Sequence, residues 1–118
     1  MVKKNPPLYL ALYKLQKYLY VVVKYFPKEH KHTLGKDILS LGWEVLDLVI
    51  ESNGIENEKK HIPLTSACIY FDKLKMRLRF AYELKIISHK RYSFLIKMNE
   101  DIGNMLFGWK KWSESKAL

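Results

Sequence analysis

A single cysteine, Cys68, in 118 residues rules out an internal disulfide framework, so stability must come from a packed core and the expected setting is a reducing cytoplasm. Five glycines and four prolines are too few for a disordered or linker-like chain. Long hydrophobic runs are missing as well. The most apolar stretch, Leu8 to Phe26, is broken by Lys14, Gln16, Lys17 and Lys24, each costly at bilayer depth, so it reads as a soluble helix with no membrane partner. No segment near the start has the charged, apolar, small-residue order of a secretory signal. Acidic residues are in deficit: 12 Asp and Glu face 21 Lys and Arg, for a formal charge of +9. Such a field favours polyanions as partners, and its plain alternative is a lysine-rich surface that only keeps a small protein in solution.

What the chain does have is apolar bulk. Hydrophobic residues make up 48%, with 8 Tyr, 5 Phe and 3 Trp, enough for one core and one domain at 14.1 kDa. Leu8, Leu12, Leu15, Leu19, Val22 and Phe26 recur at steps of three and four, a helical stripe. It is entered through Asn5, Pro6 and Pro7 and closed by Phe26-Pro27. A second stripe, Leu34, Ile38, Leu41, Val45 and Leu48, starts near His32 or Thr33 and stops at Asn53-Gly54, two residues that tolerate the left-handed conformation of a helix end. Leu39, Leu46 and Val49 lie off that stripe, more apolar surface than a lone bundle is expected to cover, which points to self-association.

After a polar connection over 53–62, Pro63 opens a third helix bearing Leu64, Ala67, Phe71, Leu74, Leu78 and Ala81, expected to run to Ile86 or Ile87. Ser88 is placed to cap a fourth, with Tyr92, Leu95, Ile102, Leu106 and Trp109 on one face and Asn99 where the pattern wants an apolar residue. Helices over about residues 7–26, 33–52, 63–87 and 89–111, joined by short connections, specify an all-α, up-down-up-down antiparallel four-helix bundle.

Chemistry is hard to find on these helices. His30, His32, His61 and His89 show no metal-ligand spacing with one another or with Cys68, and all fall in loops or at helix ends. No Ser, Thr or Cys stands at a fixed spacing from a base, and no His follows Arg77, Arg79 or Arg91 after the four to six residues that a helical-bundle ribonuclease would require. The reading therefore assigns no catalytic group, no metal and no cofactor, and expects no enzyme.

The cations are more informative. Lys73, Arg77 and Lys85 fall near one side of the third helix and Arg79 on another, while Lys28, Lys31, His32 and Lys36 form a basic loop between the first two helices. Arg91 adds the third arginine of the chain. Planar guanidinium forks suit phosphate, and without any base-reading motif these groups predict electrostatic, sequence-indifferent binding to a nucleic-acid backbone.

Four stretches carry a family resemblance: Lys24-Tyr25-Phe26-Pro27-Lys28, His32-Thr33-Leu34-Gly35-Lys36, Leu78-Arg79-Phe80-Ala81-Tyr82-Glu83-Leu84, and Ile102-Gly103-Asn104-Met105-Leu106-Phe107-Gly108-Trp109. In order and spacing they resemble the accessory variability determinant (Avd) proteins of bacterial diversity-generating retroelements. Those are related in turn to four-helix proteins encoded in 23S rRNA intervening sequences. The resemblance implies a basic four-helix bundle that assembles as a ring-like homopentamer. It also implies association with the retroelement reverse transcriptase and assistance to cDNA synthesis from a template RNA in mutagenic retrohoming, without a catalytic centre. Template RNA, cDNA or their hybrid duplex is then the nucleic-acid partner, and a ribosomal RNA partner without a reverse transcriptase is the alternative. By position, Lys28, Lys31 and Lys36 stand where the family often has Arg, Arg79 matches a third-helix arginine, and Phe107 departs from a Gly-Gly-Trp ending. Gly35, Gly103 and Trp109 read as fold markers, the glycines for close helix approach and Trp109 as a cover for one end of the bundle.

Overall fold

The computed structural model describes residues 7–118; Asn5 and Pro6, expected at the entry to the first helix, lie outside it. Four long helices carry the fold: α1 (Leu8–Lys24), α3 (Leu34–Asn53), α4 (His61–Glu83) and α5 (His89–Lys116). Two short elements sit in the connections, a single-turn helix α2 (Lys28–Lys31) and a 3₁₀ turn at Asn57–Lys59. Among the described residues there is no strand, and no helix is long and apolar enough to cross a membrane.

Each long helix packs on two others, α1 on α3 and α5, and α4 on α3 and α5. Paired residues step in opposite directions along every one of these contacts. Gly35 meets Val23 and Gly42 meets Gln16 between α1 and α3; Asp37 meets Arg77 between α3 and α4, and Ser52 meets Lys60 just before α4; Phe71 meets Gly103 and Tyr82 meets Tyr92 between α4 and α5. Tyr18 packs on Phe94, and Tyr25 on Arg91, between α1 and α5. All four contacts are therefore antiparallel. The end of α1, the start of α3, the end of α4 and the start of α5 share one end of the bundle.

The stripes read from the sequence supply the core, except that Leu8, Leu34, Leu48, Tyr92 and Trp109 are only partly buried at its margin. Leu12, Leu15, Leu19, Val22 and Phe26, then Ile38, Leu41 and Val45, then Leu64, Ala67, Phe71, Leu74, Leu78 and Ala81, then Leu95, Ile102 and Leu106 are all buried. Asn99 is buried among them with its Oδ1 unpaired. Between α1 and α3 the backbones come close at Gly35 and Gly42. A Cβ on Gly35 would sit 2.7 Å from Val23 Cγ1, and one on Gly42 would run into the carboxamide of Gln16. That carboxamide is itself buried and donates from Nε2 to the Leu39 carbonyl at 2.9 Å. Gly103 does not have the same part: a Cβ there would meet only Phe71 Cε2 at 3.5 Å, an ordinary contact.

Several boundaries differ from expectation for identifiable reasons. Gly54 follows α3 with a φ of −93°, so no left-handed residue ends that helix. The one positive φ among the described residues belongs instead to Lys85, at 64°. There Ile86 N–H donates to the Ala81 carbonyl at 2.8 Å and Lys85 N–H to that of Tyr82 at 2.9 Å, the paired bonds of a Schellman ending. With lysine where glycine is usual, nothing in the sequence marked the stop, and α4 ends at Glu83 rather than at 86 or 87. Lys85→Gly relieves the left-handed strain and should raise unfolding stability by about 0.5–1 kcal/mol in chemical denaturation. Thr33 precedes α3 without capping it, because its hydroxyl donates back to the Glu29 and His30 carbonyls at 3.3 and 3.4 Å. Ser88 does cap α5, accepting from Arg91 N–H at 3.2 Å.

The last helix also runs on to Lys116, because its final turns are tied to the other end of the bundle. Ser113 is buried, donating to the Asn57 carbonyl at 2.5 Å and accepting from His61 N–H at 2.7 Å. Beside it the buried Lys60 ammonium donates to the Ser52 and Ile55 carbonyls at 2.6 and 2.8 Å, and lies 5.7 Å from the centre of the Trp109 ring. A cation against the last carbonyls of α3 is favoured by the helix dipole, and Trp109 covers it as the end plate of the bundle.

Candidate nucleic-acid interface

The antiparallel order gathers charge. Segments 24–37 and 77–91 meet at one end of the bundle and together carry nine Lys and Arg against three carboxylates. The opposite end contains segment 44–60, with five carboxylates and two lysines, one of them the buried Lys60, and the last turns of α5, with Lys110, Lys111 and Lys116 against Glu114. Positive charge is therefore concentrated at the α2 end.

Of the residues chosen from the sequence, Lys28, Lys31, His32, Lys36, Arg77, Arg79, Lys85 and Arg91 come together at this end, from four different elements. Lys73 does not. It lies further down α4 with its ammonium 5.2 Å from the centre of the Tyr70 ring. The loop expected to present Lys28, Lys31 and His32 is not irregular, since Lys28–Lys31 forms one helical turn entered from Pro27. Lys85 is on the turn after α4, off the helix face that it was expected to share with Lys73 and Arg77.

The two α4 arginines differ from expectation in their company. Arg77 is half-buried, and its Nε donates to Asp37 Oδ2 at 2.9 Å, joining α4 to α3; Arg79 Nε donates to Glu83 Oε2 at 3.1 Å. Among the described residues, Lys28, Lys31, Lys36, Lys85 and Arg91 have no carboxylate within ion-pair distance, so no ion pair there offsets their charge. Between the two arginines lies a groove lined by Leu34, Met76 and Phe80.

Sequence reasoning missed the aromatic content of this end. Tyr25 is 59% exposed with the Arg91 guanidinium 4.1 Å from its ring centre. Tyr82 stacks on Tyr92 at 4.2 Å and 8°, and its hydroxyl meets His89 Nδ1 at 2.9 Å. Tyr25 was detectable in the sequence, being a ring off the apolar stripe beside Lys24 and Lys28.

A second feature was also missed. Ile62, Ile69, Met76 and Phe80 recur on α4 at heptad-like spacing and are 52–62% exposed, an apolar stripe opposite the core-facing one. By contrast Leu46 and Val49, expected to need a neighbouring molecule, are buried within the single chain, and Leu39 is partly covered. The bundle covers them because α3 packs on both α1 and α4 and so buries two sides.

His30 lies in α2, His32 just after it, and His61 and His89 open α4 and α5. Among the described residues no three His, Cys, Asp or Glu side chains gather as a metal site. Burial pushes the Cys68 thiol above its ordinary pKa, which disfavours the thiolate.

A profile of the bAvd-like family matches residues 8–113, from the first residue of α1 into the last turn of α5. The chain belongs to the bAvd-like family. No curated protein matches it. The matched span takes in both the charged α2 end and the Lys60–Trp109 end, so the whole bundle is the family's unit.

Proposed function

We propose that this bAvd-like chain is a non-catalytic accessory protein that binds nucleic acid through the α2 end of its bundle. Its partner is the reverse transcriptase of a diversity-generating retroelement, and its role is to assist cDNA synthesis in mutagenic retrohoming. The carrying observation is the convergence at one end of cations from α2, α3, the α4–α5 turn and α5 that have no ion-pair partner among the described residues. Backbone phosphates of template RNA, cDNA or their hybrid are the matching ligands, because the cluster offers charge without a base-reading element in a groove.

The test is a salt titration of binding to RNA, DNA and hybrid duplexes of unrelated sequence. Affinity should fall steeply and alike for all three, since each phosphate contact releases counterions, and a flat dependence would defeat the proposal. Co-purification of the reverse transcriptase with the chain tests the partner. Assembly as a ring-like homopentamer belongs to the same proposal. Its support is the outward α4 stripe of Ile62, Ile69, Met76 and Phe80, which a neighbouring copy would cover. Light scattering that gives the mass of one chain at micromolar concentration would remove the ring.

A further inference from the structure

We propose that Tyr25 and Arg91 form a stacking platform for an unpaired nucleobase, so that single-stranded nucleic acid is the preferred ligand of the basic end. The inference rests on the nucleic-acid reading above and deepens it.

The backbone of Tyr25 is fixed where α1 ends. It caps the end of α1, with its N–H on the Val22 and Val23 carbonyls, and the next residue, Phe26, is buried in the core before Pro27 starts α2. The backbone that carries the ring is thus anchored on both sides, and the Arg91 guanidinium packs against the ring itself. Arg91 reaches it from the first turn of α5, where its own N–H is bound by Ser88, and it has no carboxylate partner among the described residues. The guanidinium carbon stands 4.1 Å from the ring centre, which is stacking distance.

With that face covered, Tyr25 is still 59% exposed, so its remaining surface is open to solvent. Lys24, Lys28 and Lys31 flank the ring in sequence and supply point charges for the phosphates on either side of a stacked base. Bases in a duplex are stacked on each other and offer no free face; a single strand offers one at every nucleotide.

Fluorescence-anisotropy titrations at fixed salt test the platform with four probes of equal length: an RNA strand, a DNA strand, a DNA duplex, and an abasic DNA strand that keeps its phosphates. The variants are Tyr25→Leu, which keeps bulk without the ring, and Tyr25→Phe, which keeps the ring. Wild type should bind the base-bearing strands more tightly than the abasic one. Tyr25→Leu should lose about ten-fold on the base-bearing strands and nothing on the duplex, with an unchanged salt slope, and Tyr25→Phe should restore binding. A loss confined to RNA or to DNA identifies which strand supplies the base. Equal binding of abasic and base-bearing strands, an equal loss on duplex, or a silent Tyr25→Leu would overturn the platform while leaving salt-dependent binding in place. Wild type that binds none of the four probes would overturn both readings.

Discussion

Replacing Lys28, Lys31 and Lys36 together by glutamate is expected to lower nucleic-acid affinity by about a hundred-fold or more near physiological salt, and to flatten the log–log salt slope by about three. These three lysines are the right target because none is tied to a carboxylate among the described residues. They stand on α2 and the first turn of α3, with Lys28 and Lys36 exposed and Lys31 partly so, and none belongs to the buried core. Helical content by circular dichroism should be unchanged, which separates lost charge from lost fold. Reversing Arg77 would be less informative. A glutamate there would face Asp37 across the α3–α4 contact, and weakened binding would then report packing as much as phosphate. Unchanged affinity in the folded triple variant would place the interface elsewhere on the molecule.

The second large effect concerns stability. Leu74→Ala should cost about 2–5 kcal/mol, because Leu74 is fully buried on α4, the helix packed between α3 and α5, and the rigid neighbours cannot close the cavity. For a domain of this size that is a large share of the roughly 5–15 kcal/mol by which folded proteins exceed their unfolded chains. Thermal and urea unfolding measure it directly. Ile69→Ala one and a half turns earlier on the same helix provides the contrast. Ile69 is half-exposed on the outward stripe, so the isolated chain should barely notice its loss, whereas an assembly that uses the stripe should weaken. A stability loss for Leu74→Ala no larger than that for Ile69→Ala would mean that the core does not lie where these residues place it.

Helix α4 carries two apolar faces, and only one of them meets the core. Leu64, Ala67, Phe71, Leu74, Leu78 and Ala81 gave its inner face by spacing alone, since only residues three and four apart share a side of a helix. Ile62, Ile69, Met76 and Phe80 have a similar spacing and a similar composition, and differ only in which way the packed helix turns them. Periodicity finds faces; it does not say which one meets the core. For the same reason Leu39, Leu46 and Val49 read from spacing as surface for self-association, whereas the packing of α3 buries Leu46 and Val49 within the chain and partly covers Leu39.

Local chemistry determined much of this protein on its own. The four apolar stripes, the break at Phe26-Pro27, the Ser88 cap and the shortness of the connections are properties of neighbouring residues, and they are enough to require helices that pack antiparallel. The +9 charge was equally plain in the sequence, as were the cations themselves. Tertiary structure decided which cations are free. Asp37 is 40 residues from Arg77, and no spacing rule links them until α3 and α4 pack side by side. It decided the end of α4, where Ile86 and Lys85 return to the Ala81 and Tyr82 carbonyls and force a lysine into a glycine's conformation. It also decided the two polar ends. Lys60 is an ordinary loop lysine until Ser52, Ile55 and Trp109 surround it, and Tyr25 is an ordinary tyrosine until the fold lays Arg91 across its ring. Periodicity acts over a few residues, whereas charge pairing and ring stacking depend on which distant segments the packed core brings within a few ångströms.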